Sequence, residues 1–289
     1  MMIKPERKTP PGIEPTTDSL RTQLVSLKLS YLLDHFESLA QQAAAEQWSH
    51  LEYLARLIEG EAHRREDRSI QRRIGLARFP VLKTLDQFDW VWPKKINRPQ
   101  IQNLFRLRFI EENANVIFIS NVGLGKTHLS IALGHTACLH GYSVLFTTAM
   151  DIINTLSAAQ THGNLKRELR KYLQPRLLQI DELGYLPIDK HGADLLFQVI
   201  SQRYERGAIV LTTNRAYKHW PEIFNNDSTL TSALLDRLLH HAETVLMKGT
   251  QTVFDRQPLA GRIRRVIQRY AKSDLDLPSL DADLVNDEA

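Results

Sequence analysis

Residues 120–127 read Ser120-Asn121-Val122-Gly123-Leu124-Gly125-Lys126-Thr127, and the apolar run VIFIS at 116–120 leads straight into them. A short apolar strand, a glycine-rich turn and then Lys-Thr opening a helix is the context in which a backbone loop cradles phosphate. Gly123 and Gly125 permit a tight curl that aims successive N–H groups at phosphate oxygens. The helix beginning near Lys126 adds the positive end of its dipole. Lys126 supplies a point charge for the β- and γ-phosphates, and the Thr127 hydroxyl a ligand for Mg2+. Residues 120–128, with His128 closing the set, are therefore the candidate ATP-binding residues. The usual pattern is G-x-x-x-x-G-K-[ST], and its first position is Ser120 here. Serine is unfavourable there if the loop needs a positive φ.

Downstream, the run LLQI at 177–180 ends in Asp181-Glu182, with Gln179 interrupting its apolar character. In that position Asp181 would hold the metal, while Glu182 would orient and deprotonate an attacking water. The next run, AIVLTT at 208–213, ends in Asn214-Arg215. An amide there, on a strand lying between the other two, would position water near the γ-phosphate; a turn-forming asparagine is the plainer alternative. Farther on, Leu234-Leu235-Asp236-Arg237-Leu238 sets an arginine on an otherwise apolar helix. Arg237 either pairs with Asp236 or serves as an arginine finger in a neighbouring subunit's site. The catalytic candidates are thus Lys126, Glu182, Asn214 and Arg237, and the metal candidates Thr127 and Asp181.

From residue 116 onward, β-rich runs at 116–120, 143–148, 177–180, 208–213 and 244–248 alternate with helical stretches near 126–140, 149–173, 192–206 and 229–241. That alternation predicts an α/β fold, a parallel sheet covered on both faces. The N-terminal third reads differently. Residues 1–18 hold four prolines and few apolar anchors, a disordered arm by composition. Leu20, Leu24, Leu27, Tyr31 and Phe36 then recur along one helical face. A further helix opens at Ser49, with Glu52 placed for a reciprocal cap and Leu51, Leu54, Leu57 and Ile58 as its apolar stripe. Its far end crowds Arg64, Arg65, Arg68, Arg72 and Arg73 within ten residues, the first candidates for DNA contact. A linker at 76–96 carries Phe79, Trp90, Trp92 and Pro93, aromatics suited to packing a joint; Asn97-Arg98-Pro99 then starts a helix. The expected division is an arm at 1–18, a helical DNA-binding and assembly module with its linker at 19–96, an ATPase domain at 97–256, and a basic helix with an acidic tail at 257–289.

With 43% apolar and 24% charged residues over 289 positions, the chain can bury a substantial core, which excludes global disorder. No apolar run approaches the ~18 residues that span a bilayer. Cys138 is the single cysteine, and the first residues lack a signal peptide's apolar segment, so a cytoplasmic location is expected. The eleven histidines show no zinc spacing, and His240-His241 would point to different helix faces. Net charge is +4, but residues 273–289 hold six acids and no Lys or Arg. The remainder carries 37 bases against 27 acids, an excess that favours a polyanionic partner.

With these residues in place, the chain resembles the IstB-type helper ATPases of bacterial insertion sequences, AAA+ proteins close to replicative helicase loaders. The resemblance is densest in GLGKTHLSIALGH (123–135), IDELGYLPIDKHGADLLFQVISQRYERGAIVLTTNR (180–215) and LLDRLLHHA (234–242), and FPVLKTLDQFDW (79–90) also looks like this family. It implies a P-loop NTPase of AAA+ type, an αβα sandwich preceded by an all-helical domain. It also implies ATP with Mg2+ driving self-association into an oligomer on double-stranded DNA, which recruits and stimulates a partner transposase. Asn214 then looks like the first sensor and Arg237 like the arginine finger. The family's Gly-Glu-Ser-Tyr-Arg after the last strand reads Gly249-Thr250-Gln251-Thr252-Val253 here, with Arg256 the nearest arginine. A helicase-loader-like ATPase, or a nucleotide-gated DNA scaffold with little hydrolysis, are the alternatives.

Overall fold

The structure is a computed structural model that describes residues 17–249 apart from Trp92 and Lys94. The expected arm up to residue 16, Arg256 and the basic and acidic C-terminal segments lie outside the described residues. Three helices come first: α1 (Thr17–Ser26), α2 (Ser30–Ala45) and α3 (His50–Ala77). The chain breaks between α1 and α2 at Lys28, whose φ is 56°, so the apolar positions expected on one face divide between two helices. Leu24, Leu32, Phe36 and Leu57 form the small core of this module.

Helices α2 and α3 run antiparallel, and polar contacts zip them together. The Glu61 carboxylate, on α3, accepts the Tyr31 N–H at 2.8 Å and so caps the start of α2. Burial alone would raise the Glu61 pKa, but this bond, Arg65 and the Leu32 N–H together hold it below the usual carboxylate range. The Ser49 hydroxyl accepts from the Glu52 N–H, whereas the Glu52 side chain turns away to Arg56 and leaves the expected reciprocal cap half made. The expected apolar stripe of α3 is also not a core face. Only Leu57 is buried; Leu51, Leu54 and Ile58 are exposed. The cause is that α2 packs on the neighbouring side, that of Tyr53, Leu57 and Gly60, where Gly60 lets Tyr31 approach so closely that a Cβ would meet its ring at 2.0 Å.

At 28 residues, or about 42 Å, α3 reaches from this module to the second body of the chain. There α4 (Arg98–Leu104) and α5 (Arg108–Glu111) precede β1 (Asn115–Ile119), α6 (Lys126–Leu139), β2 (Val144–Thr148), α7 (Ala149–Thr161) and α8 (Leu165–Leu173). β3 (Leu177–Leu183), α9 (Lys190–Arg203), β4 (Ala208–Thr213), α10 (Trp220–Ile223), α11 (Ser228–Leu239) and β5 (Ala242–Leu246) complete it. The helix expected over 149–173 is two, separated at Gly163, which adopts φ 68°. The last strand starts two residues earlier than its hydropathy indicates. Helix α11 ends at Leu239, so His240 and His241 lie beyond it; they are not splayed on opposite helix faces, and their rings stand 4.2 Å apart.

All strand pairs are parallel, in the order β2-β3-β4-β1-β5. Alternation along each strand feeds two cores. Ile117, Ile180 and Leu211 pack with α7, α9 and α11 on one face, and Val116, Phe118 and Val210 with α4 and α6 on the other. The segment 79–96 joins the second core: Phe88 is buried there, and Lys95 pairs with Lys248 just past β5. Gln179, the polar interruption in β3, is fully buried because it bonds the Ser130 carbonyl of α6 where Gly134 leaves room for it. The order places the tip of β4 between the tips of β1 and β3, and this positions the site.

Candidate functional site

The loop after β1 curls through Gly123 (φ 81°) and Gly125 (φ 89°), both left-handed conformations that glycine adopts without penalty. A Cβ on Gly125 would also meet the Phe88 ring at 2.7 Å, so the segment 79–90 lies against the phosphate loop itself. Ser120 is buried, and it is not among the residues with positive φ; its hydroxyl donates to the Asn121 carbonyl at 3.0 Å. Serine therefore fits the first loop position without strain. Asn121 and Val122 are exposed, while Leu124 is buried under the loop. Lys126 is 5% exposed, and its ammonium donates to the carbonyls of Ser120 and Asn121, each at 2.9 Å. Burial lowers its pKa, opposed by Asp181 and Glu182. His128 turns away from the loop mouth: its ring bonds the Thr84 carbonyl at 2.8 Å and packs edge-on against Phe88.

The acidic pair owes its arrangement to a β-bulge. Ile180 pairs with Leu211 and Leu183 with Thr213, so Asp181 and Glu182 together oppose the single residue Thr212. Glu182 takes up the extra length at φ 61°. Regular alternation would send consecutive side chains to opposite faces; here both acids line one cavity of about 930 Å³ together with Thr127. Thr212 ties the bulge down. Its hydroxyl accepts the Glu182 N–H at 3.1 Å and donates to Asp181. Asp181, 4% exposed, also receives the Thr127 hydroxyl at 3.0 and 3.1 Å. A hydroxyl and a carboxylate thus sit side by side at the start of the loop helix, a donor set that suits a hard cation such as Mg2+.

Thr212 is the residue missed in the sequence; no motif marks it, and only the strand register reveals it. Thr212→Val keeps the shape but removes both bonds. Any phosphate release by the protein is expected to fall roughly tenfold or more in this variant, with thermal stability changed by only about 1–2 kcal/mol.

Asn214 follows β4 directly, and its buried Oδ1 has no hydrogen-bond partner among the described residues. Arg237 is not in this group: it donates to the Ala233 carbonyl at 2.9 Å and stacks over the Phe197 ring of α9. Nor are the five arginines of α3 a free basic face. Arg64 pairs with Asp34, Arg65 with Glu61, Arg68 with the Ser30 hydroxyl, and Arg73 with the Cys138 carbonyl and Ser69. Among the described residues only Arg72 of the five lacks a partner. A basic helix that the sequence did not single out is α8: Lys166 and Arg170 stand exposed one turn apart without partners among the described residues, whereas Arg167 and Lys171 pair with Glu168.

A parallel sheet of this order, a phosphate loop after its β1, and an acidic strand tip two strands away define the P-loop nucleotide-binding fold of the AAA+ type. The solved structure of DnaI shares the fold, with a TM-score of 0.50 at 15% identity, covering 60% of this chain and 93% of that one. The chain belongs to the family of IstB-like ATP binding proteins, whose model matches residues 22–257. A protein of insertion sequence IS5376 of Geobacillus stearothermophilus is 40% identical over 223 residues, 77% of this chain and 88% of the relative. One of insertion sequence IS21 of Pseudomonas aeruginosa is 40% identical over 230 residues, 80% and 86% of the two chains.

Proposed function

We propose that this protein hydrolyses ATP with Mg2+, assembles on double-stranded DNA in the cytoplasm and recruits the transposase of its insertion sequence. The observation that carries the catalytic part is the bulge at Asp181-Glu182, which brings two consecutive acids to the cavity that Thr127 also lines. In this reading the N–H groups of residues 123–127 bind the phosphates, and Lys126 leaves the Ser120 and Asn121 carbonyls to meet them. Thr127 and Asp181 would hold Mg2+, which when bound neutralises developing phosphate charge. Glu182 takes a proton from the attacking water, and the Asn214 Oδ1 fixes that water's direction. Arg237 touches none of these groups in its own chain, which supports a role in a neighbour's site and hence an oligomer. A scaffold with little hydrolysis drew its support from Ser120, and the unstrained backbone there favours a working loop.

DNA contact is assigned to α8 and to Arg72 in place of the other α3 arginines. The test is phosphate release with and without duplex DNA, on wild type and Lys126→Ala. DNA-stimulated release that Lys126→Ala abolishes is expected; release equal in both proteins overturns the assignment. Affinity for a mixed-sequence duplex should fall steeply with salt. The double variant K166E/R170E should reduce the log–log salt slope by about two, since each lost phosphate contact removes about 0.9. No helix among the described residues is long and apolar enough to cross a membrane.

A further inference from the structure

The strand starts, at the end of the sheet opposite the phosphate loop, carry a second cluster. Glu205 lies in the turn between α9 and β4, and His240 and His241 in the turn between α11 and β5. One ligand atom from each of the three lies within 4.8 Å of the other two, the only such group among the described residues. We propose that Glu205, His240 and His241 bind a divalent transition-metal ion, with Zn2+ as the occupant that two imidazoles and a carboxylate favour.

The distances fit an ion better than they fit direct contact. The Glu205 Oε1 is 3.9 Å from the His240 Nδ1 and 3.8 Å from the His241 Nε2, too far for hydrogen bonds. Ligands bound at ~2.0–2.1 Å around a tetrahedral ion stand roughly 3.3–3.5 Å apart, so the Glu205 carboxylate needs to close on each imidazole by only about 0.5 Å. All three are more than half exposed, which leaves them free to move and leaves the fourth position to water. Their backbones are fixed. The Asn115 N–H donates to the His241 carbonyl at 2.7 Å, and the Arg203 carbonyl accepts from Arg206 and Gly207 across the Glu205 turn. The Tyr204 hydroxyl, 2.8 Å from the His240 Nδ1, bonds the nitrogen that the ion takes, so binding displaces that hydroxyl. A bound ion joins the end of α9 to the end of α11, one turn beyond Arg237.

The experiment uses metal-free full-length protein, titrated with Zn2+ by calorimetry and with Co2+ by absorbance, alongside thermal melting. Expected are one ion per chain, the strong d–d bands of tetrahedral cobalt, and a rise in Tm on Zn2+ addition. His240→Ala, His241→Ala and Glu205→Gln should each weaken binding at least about tenfold and remove the Tm rise. Asp181→Asn, at the far end of the sheet, should keep all three signals. Circular dichroism of the variants without metal checks their fold, and His241→Gln replaces His241→Ala if the latter does not fold. Zn2+ uptake that survives the histidine substitutions, uptake that only Asp181→Asn removes, or no uptake at millimolar Zn2+ overturns the proposal.

Discussion

Glu182→Gln should leave ATP binding within about twofold of wild type while DNA-stimulated phosphate release drops roughly 10²–10⁴-fold, the range that a general base supplies. That loss corresponds to about 3–5 kcal/mol of transition-state stabilisation. Glutamine is the informative replacement because the structure makes it nearly silent elsewhere. Glu182 is exposed, and its local geometry depends on its own N–H bonding the Thr212 hydroxyl. Glutamine keeps that bond, the φ of 61° and the bulge, and removes only the capacity to accept a proton. Asp181→Asn is a less clean test, since Asp181 receives hydroxyl bonds from both Thr127 and Thr212 and an amide nitrogen would oppose one of them. Calorimetry with ATP and steady-state phosphate release separate the two quantities. A Glu182→Gln protein that binds ATP and turns it over at the wild-type rate removes Glu182 from the chemistry.

The strand-turn-helix at 116–127 was legible because its requirements are local. Glycine is needed at two left-handed positions, a lysine and a hydroxyl follow, and an apolar strand precedes; all of this lies within twelve residues. The sheet was legible for the same reason, since each β-rich run is bounded by helical sequence. What depends on register was not. Thr212 matters only because one extra residue in β3 falls opposite it, and nothing in AIVLTT announces that pairing. The partners of the α3 arginines were hidden for a related reason: a run of bases looks like an open surface until α2 supplies Asp34 and Ser30 across the hairpin. His240 and His241 were assigned to a helix that stops one residue short of them. Composition registers charge and spacing, but a partner thirty or more residues away decides whether a charge is spent inside the fold.

The stability of the fold depends on distant partners in the same way at Arg203. In SQRYERG (201–207) it reads as one more surface base, yet it is 2% exposed. One terminal nitrogen donates to the carbonyls of Tyr172, Leu173 and Pro175, the other to those of Arg176 and Ala208. Burial, with Arg176 nearby, pulls its pKa down to about 10, so it is still a cation at neutral pH. A planar fork with fixed donors reaches five acceptors that an ammonium cannot. Gly207 is required beside it, because a Cβ there would meet the guanidinium at 2.6 Å. Arg203→Met leaves these buried carbonyls short of partners at a cost of about 1–3 kcal/mol each, partly offset by no longer burying a charge. The expected net loss is about 3–5 kcal/mol, read as a shift in the urea midpoint at an unchanged m-value. Arg203→Lys should recover less than half of it. Because four of the five carbonyls it holds form the exit of α8 and the entry to β3, the loss should be accompanied by faster amide exchange across 165–176 while α1–α3 keep their protection. An Arg203→Met protein with wild-type stability would mean that the five carbonyls find water instead, and that the guanidinium fills space without bracing the fold.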